Sequence, residues 1–290
     1  MDPLSLASIS LFDIARFRDT YTARSSIASR YIEARRDTLL THFVDDIDSL
    51  KSLMDDTGAV ISGSLALRLF LPEDAVQWPI NDMDLYVPNS SCADVVTHFI
   101  RQGYQLSNQS PSSAPYAYGD MTQIETVITM INSGKKVDII ISKSSSSILP
   151  IFFFHSTIVM NYFNSNTFFA AYPELTKRKR GLINGIRFAS GSLSDRSLSC
   201  LLKYTARGFK FARDLNSWET EDAADSHQCG EHFDCPQRLR TSVDRGCFTV
   251  KIGSSEDQRH EATRPVAWCL GGSPCNIDTV ELPSLVFAVT

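Results

Sequence analysis

Two aspartates, Asp82 and Asp84, stand one residue apart in the apolar run "NDMDLYV". A third, Asp138, lies in "KKVDIIIS" among β-branched residues. The alternation over Asp82–Val87 predicts a strand with Asp82, Asp84 and Tyr86 on one face and Met83, Leu85 and Val87 on the other. Carboxylates this close repel each other unless something positive sits between them. An unpartnered aspartate among apolar neighbours is also disfavoured. A divalent cation is the simplest partner, and Mg²⁺ takes a few carboxylate oxygens, several waters and the phosphate oxygens of a substrate. If the strand of Asp138 pairs beside that of Asp82 and Asp84, the three acids reach one edge. There Asp138 could hold a second metal ion or take a proton from an attacking hydroxyl.

The segment "AVISGSLALRLFLP", Ala59 to Pro72, supplies the complementary half. Ala59–Ser62 reads as a short strand, Gly63-Ser64 as a turn, and Leu65–Phe70 as a short helix ended by Pro72. Glycine lets a ligand approach the backbone closely. A helix opening at Ser64 offers free N–H groups, its positive dipole end and the serine hydroxyl to an anion. Each half alone is common, since Gly-Ser caps many helices and Asp-x-Asp is most often a solvated strand end. In this order, with Asp138 on a later strand, they describe a site for a nucleoside triphosphate.

Gly63, Ser64, Asp82, Asp84 and Asp138 resemble the signature of the nucleotidyltransferase superfamily, the DNA polymerase beta-like fold. The likeness covers residues 31 to 145, about half the chain. One departure is the stretch between Ser64 and Asp82, longer than the commonest spacing, so "PEDAVQWPIN" reads as an inserted loop. Later pieces ("STIVMNYF", "YPELT", "KYTARGF") resemble stretches of uncharacterised fungal members. The resemblance implies attack of an acceptor hydroxyl on the α-phosphate of an NTP, with pyrophosphate leaving. Asp82 and Asp84 would coordinate two Mg²⁺ ions, Asp138 would help the attacking side, and Gly63-Ser64 would hold the β- and γ-phosphates. The acceptor could be RNA, a protein hydroxyl or a small molecule. A nucleotide- or RNA-binding protein without turnover is the competing reading, because fold does not fix function.

Other clusters are weaker. A helix expected around Leu198–Arg213 would put Arg196, Lys203, Arg207 and Lys210 on one stripe, with Leu198, Leu201, Leu202, Phe209 and Ala212 toward the core. Lys203 and Arg207 are then candidate nucleotide-binding residues, and an ordinary solvated basic face is the alternative. The run Lys177–Arg180 reads as a charged loop. In "HQCGEHFDC", His227, Cys229, His232 and Cys235 could hold zinc, with Cys247, Cys269 or Cys275 as substitutes; buried thiols and a surface histidine are the alternative. His155, in an aromatic run, reads as a satisfied core histidine. No nucleophile elbow, P-loop or dinucleotide-binding loop is present.

These residues need elements to position them. Apolar residues recur at helical spacing from Tyr31 to Met54, with Arg35 and Arg36 on the polar side and Gly58 as the stop. "SSCADVVTHFIRQGY" reads as a serine-capped helix, and a polar loop follows over Leu106–Tyr116. "TQIETVITMI" and "KVDIIIS" form a hairpin across "NSGK". The fold class is α+β, with a mixed, mostly antiparallel sheet and packed helices. The expected ranges are a core over 25–145, a mixed extension over 146–215, and an irregular, cysteine-containing region over 216–290.

The 290 residues, 43% hydrophobic and 21% charged, are ordinary for a globular chain. A net charge of -5 leaves any polyanion binding to a local patch. "MDPLSLASISLF" lacks the pattern of a secretory signal. The most apolar stretch, Ile148–Phe163, is too short to span a bilayer and reads as core, so no membrane partner is expected. The seven cysteines form no secreted-type framework, pointing to a cytoplasmic or nuclear location.

Overall fold

Residues 7–107, 123–188, 193–219, 227–253, 263–272, 275 and 285–288 are described in a computed structural model of the chain. They form eight α-helices and thirteen strands, an α+β arrangement. The strands are β1 (Val60–Ser62), β2 (Met83–Val87), β3 (Gln105–Leu106), β4 (Ile124–Asn132), β5 (Lys135–Ser142), β6 (Asn161–Phe163), β7 (Thr167–Ala170), β8 (Arg180–Leu182), β9 (Lys210–Ala212), β10 (Arg240–Thr241), β11 (Phe248–Lys251), β12 (Val266–Cys269) and β13 (Leu285–Ala288). Eight of them make one sheet in the order β11-β7-β6-β1-β2-β5-β4-β3. It is mixed and mostly antiparallel: β2 and β5 run parallel, whereas β1 opposes β2 and β6, and β4 opposes β3 and β5. Most of the polar loop expected over Leu106–Tyr116 lies outside the described residues.

The chain divides into two compact units, neither continuous in sequence. The first combines Met1–Pro150, Asn161–Phe169 and Thr249–Arg264, and the second Ile151–Met160, Ala170–Phe248 and Pro265–Thr290. The large sheet is built in the first unit. In the second, β8 pairs β9 and β10-β12-β13 make a small sheet.

In the first unit the apolar run Tyr31–Met54 forms two helices rather than one, Ser25–Leu40 and Ile47–Thr57. Asp46 forces the break, because its carboxylate caps the second helix by accepting from Ser49 N–H at 2.9 Å. Phe43 and Val44, between the helices, stay buried and keep the apolar rhythm going. Gly58 ends the second helix at φ 67°, its N–H bonded to the Met54 carbonyl. Arg35 and Arg36, expected on the polar side, are instead buried. The Arg35 guanidinium donates to the carbonyls of Ile9 and Leu71, and that of Arg36 donates to Asp37 and to the Ser165 carbonyl. Burial pulls the Arg35 pKa below its usual value, and Glu73 partly opposes this. These cations work as clamps on distant backbone, because a buried guanidinium must spend its donors on carbonyls or carboxylates.

Ile148–Phe163 supplies core residues, as expected. The helix "SSCADVVTHFIR" begins at Cys92 and runs to Arg101, and Ser91 gives it no side-chain cap. In the second unit the helix around Leu198 is only Asp195–Thr205, and Lys210 falls on β9. The single cationic stripe is therefore not formed, and Leu198 and Leu202 are exposed while Leu201 and Phe209 are buried. Gly208, at φ 88°, turns the chain out of the helix. The residues after Glu219 contribute β10 to β13, each too short for alternation to be read from sequence. Arg240 is fully buried there, paired with Asp244 at 2.6 Å and donating to the Phe233 and Ala171 carbonyls. Its guanidinium carbon lies 4.9 Å from the Tyr172 ring centroid and 5.3 Å from that of Trp268.

Candidate metal centre

The positions of the three acids follow from the pleat. Met83, Leu85, Val87, Val137 and Ile139 are completely or almost completely buried on one face of β2 and β5. The opposite face carries Asp82, Asp84 and Asp138 at the end of the pair that stays partly open. Parallel pairing puts Asp84 beside Asp138, and antiparallel pairing puts Ser62 beside Asp84. One carboxylate oxygen from each of Asp82, Asp84 and Asp138 can be chosen so that all lie within 4.8 Å of one another.

Gly63 is fixed by this arrangement. It opens the helix Gly63–Phe70 at φ 70°, and a Cβ there would lie 2.1 Å from Asp84 Oδ2. The Asp84 carboxylate thus occupies the space a side chain would need, against the N-terminal end of the helix. Free N–H groups and the positive dipole end favour a negative group at that point. Ser64, in the first turn, is partly exposed. Ser62 is buried and its hydroxyl donates to the Asn161 carbonyl at 2.6 Å, tying β1 to β6 just before the turn.

The segment between Ser64 and Asp82 is an irregular loop after the helix, and it is pinned. Arg35 holds the Leu71 carbonyl, Glu73 N–H donates to the Ala7 carbonyl at 2.8 Å, and Arg68 donates to the Trp78 carbonyl at 2.5 Å. Val76 is buried within it. The added length therefore reaches Asp82 by a defined path.

Two further residues complete the site. Thr129, opposite Asp138 on β4, donates its hydroxyl to Asp138 Oδ1 at 2.6 Å. Lys136 donates to Asp138 Oδ2 at 2.6 Å and lies 3.9 Å from Asp82. Burial works against the Lys136 ammonium, yet the Asp138 hydrogen bond and the charges of Asp138, Asp82 and Asp84 hold its pKa above the usual lysine value. The same-face spacing of Lys136 and Asp138 was available from alternation alone. Thr129 follows from counting back through the two-residue hairpin turn, Ser133-Gly134, whose positive φ values of 49° and 84° suit a type I′ loop.

Lys203 and Arg207 lie in the second unit, whereas Gly63, Ser64 and the three acids lie in the first. Both cations sit over the Tyr204 ring, at 4.9 and 5.0 Å from its centroid. Lys177 ends the helix Pro173–Lys177, and Arg180 begins β8. His155 is buried, its Nδ1 2.8 Å from Ser156 Oγ. Of the candidate zinc ligands, His227, Cys235 and Cys275 come within 4.8 Å of one another. No helix among the described residues is long and apolar enough to cross a membrane. Compared with protein-family models, curated proteins and solved structures, the chain matches none.

The donor set suits a hard cation. Two Mg²⁺–O bonds of about 2.1 Å span at most about 4.2 Å. Three carboxylates within 4.8 Å are a side-chain rotation from closing on one ion. Soft or imidazole-preferring metals would find no sulfur or nitrogen ligand in this set.

Proposed function

We propose that this chain is a Mg²⁺-dependent nucleotidyltransferase of the DNA polymerase beta-like type. It would move a nucleoside monophosphate from an NTP to an acceptor hydroxyl. The reading rests on one observation: Asp82, Asp84 and Asp138 meet beside Gly63, at the start of a helix. Asp82 and Asp84 would hold Mg²⁺, with Asp138 as a third ligand. When bound, Mg²⁺ would neutralise phosphate charge and bring the acceptor and leaving oxygens into line.

The chain's own residues do the rest. Gly63 makes room for the Asp84 carboxylate, and the N–H groups of the first helical turn together with the Ser64 hydroxyl would favour the charge of a phosphate. Asp138 takes the proton of the acceptor hydroxyl as the new O–P bond forms and the α–β anhydride bond breaks, releasing pyrophosphate. Thr129 holds the Asp138 carboxylate in register for that transfer. Lys136 offsets the charge of the acids, and its partial exposure would let it turn toward solvent where Mg²⁺ is held.

Lys136 also favours a second reading. An ammonium already bridging Asp138 and Asp82 is what a binding protein without turnover would use in place of a metal. Incubation with α-labelled NTPs, total RNA and Mg²⁺ separates the two. Label transfer that needs Mg²⁺ and disappears in folded Asp82→Asn/Asp84→Asn supports the enzyme. Transfer that survives in that variant removes the proposed site, and binding of NTP by the wild type without transfer favours the binder.

A further inference from the structure

The second unit contains a group of soft ligands that the acidic site does not use. Cys235 is fully buried and Cys275 nearly so. Their sulfurs lie 3.6 Å apart although 40 residues separate them in the chain. Cys229 Sγ lies 3.9 Å from Cys235 Sγ. One ring nitrogen of His227 joins Cys235 and Cys275 within 4.8 Å. His227, Cys235 and Cys275 therefore form a close trio drawn from two segments, and Cys229 approaches it through Cys235.

The distances discriminate between explanations. A disulfide needs sulfurs about 2.05 Å apart and engages only two residues. Tetrahedral zinc with Zn–S bonds of about 2.3 Å sets its sulfurs about 3.8 Å apart. The observed 3.6 and 3.9 Å bracket that edge length. The polarity agrees as well. Gly230, at φ 83°, turns its N–H toward Cys235 Sγ at 3.1 Å, and a thiolate is a far better acceptor than a neutral thiol.

The other candidates have different partners. His232 Nδ1 accepts from Asp234 N–H at 3.2 Å, Cys269 Sγ donates to the Pro236 carbonyl at 3.2 Å, and Cys247 Sγ lies 3.2 Å from an Arg240 nitrogen. The geometry thus selects Cys275, one of the substitutes the sequence offered, in place of His232.

We propose that His227, Cys229, Cys235 and Cys275 bind one zinc ion in a closed, structural site. Four protein ligands leave no open position for substrate, so the role is to join the 227–235 segment to Cys275. Such a cross-link suits a unit whose sheets are only two and three strands wide. The proposal is independent of the chemistry assigned to Asp82, Asp84 and Asp138.

The full chain, purified without chelator, is expected to carry one equivalent of zinc by inductively coupled plasma mass spectrometry. Cys229→Ser, Cys235→Ser and Cys275→Ser should each weaken zinc binding by more than the roughly 10–100-fold that losing an outer partner costs. Cys247→Ser should retain the metal. Since ligand variants can misfold, the wild type supplies a second readout. Metal-free chain titrated with Co²⁺ should develop the intense red-region absorption of tetrahedral cobalt together with a thiolate charge-transfer band, and Zn²⁺ should abolish both. Absence of stoichiometric zinc together with an octahedral Co²⁺ spectrum would overturn the proposal. So would full zinc retention in folded Cys235→Ser, or a Cys235–Cys275 disulfide in freshly purified, metal-free chain.

Discussion

Gly63→Ala tests whether the helix start and Asp84 are one device. The substitution has two separable costs. Alanine at φ 70° pays the left-handed penalty, about 1–2 kcal/mol. Its methyl would also stand 2.1 Å from Asp84 Oδ2, so the carboxylate must leave its place beside Asp82 and Asp138. Contacting residues couple by about 0.5–3 kcal/mol, so the total expected loss is about 1.5–5 kcal/mol. In an Asp84→Ala background the conflict is gone, because the remaining Cβ is at an ordinary 3.4 Å and only the φ penalty survives. Urea denaturation of the wild type, both single variants and the double variant closes the cycle. Any stability gained by deleting a repelled carboxylate cancels within it. Energies that add to within about 0.5 kcal/mol would refute the idea that Gly63 exists to make room for Asp84.

Lys136→Met should raise Mg²⁺ affinity about five- to tenfold at low salt, a partly exposed ion pair being worth roughly 1 kcal/mol; an unchanged Mg²⁺-dependent melting shift would show that the ammonium does not compete. His155 gives a pH signature. Burial, with Arg187 and Lys203 nearby, lowers its pKa from 6.5 to about 3, so the folded chain keeps it neutral while the unfolded chain protonates it. Its contribution is complete above pH 6.5 and declines as pH falls toward 3. Moving from pH 7 to pH 5 should cost about 2 kcal/mol in the wild type and clearly less in His155→Gln, by denaturant titration at both pH values. Arg240→Ala should cost about 3–5 kcal/mol by removing a fully buried guanidinium and leaving the partly buried Asp244 carboxylate without its partner; a loss below 1 kcal/mol in thermal unfolding would mean that water replaces the guanidinium.

The strand faces that make up the acidic site were legible because their determinants are local, whereas the pairing of β2 with β5 that joins them is not. Alternation puts Asp82 with Asp84, and also Lys136 with Asp138, on common strand faces, and a two-residue turn fixes the register that brings Thr129 to Asp138. The conformation of Gly63 could be suspected, but its cause could not, since Asp84 is brought there by β1–β2 pairing. Arg35 and Arg36 were misplaced for a related reason. On a helical wheel they share a face with solvent-seeking residues, whereas their partners are carbonyls at Ile9, Leu71 and Ser165. The helix around Leu198 was overextended because Phe209 and Ala212 keep a helical rhythm across Gly208, which turns the chain into β9. Cys275 could not be ranked above Cys247 or Cys269 by spacing, since a ligand 40 residues away is chosen by tertiary folding alone.

The place of β11 has a bearing on how the protein is made. It edges the large sheet beside β7, with Ile252 N–H bonded to the Asn166 carbonyl and Arg18 to that of Lys251. On a ribosome adding about 5–20 residues per second, several seconds separate the emergence of β7 from that of β11. Until then the β7 edge is unpaired and the helix Leu11–Thr20, which carries Arg18, lacks its far anchor. A nascent chain released early would carry all three acids yet expose a strand edge open to foreign pairing, so truncation is expected to produce aggregation rather than a smaller working protein.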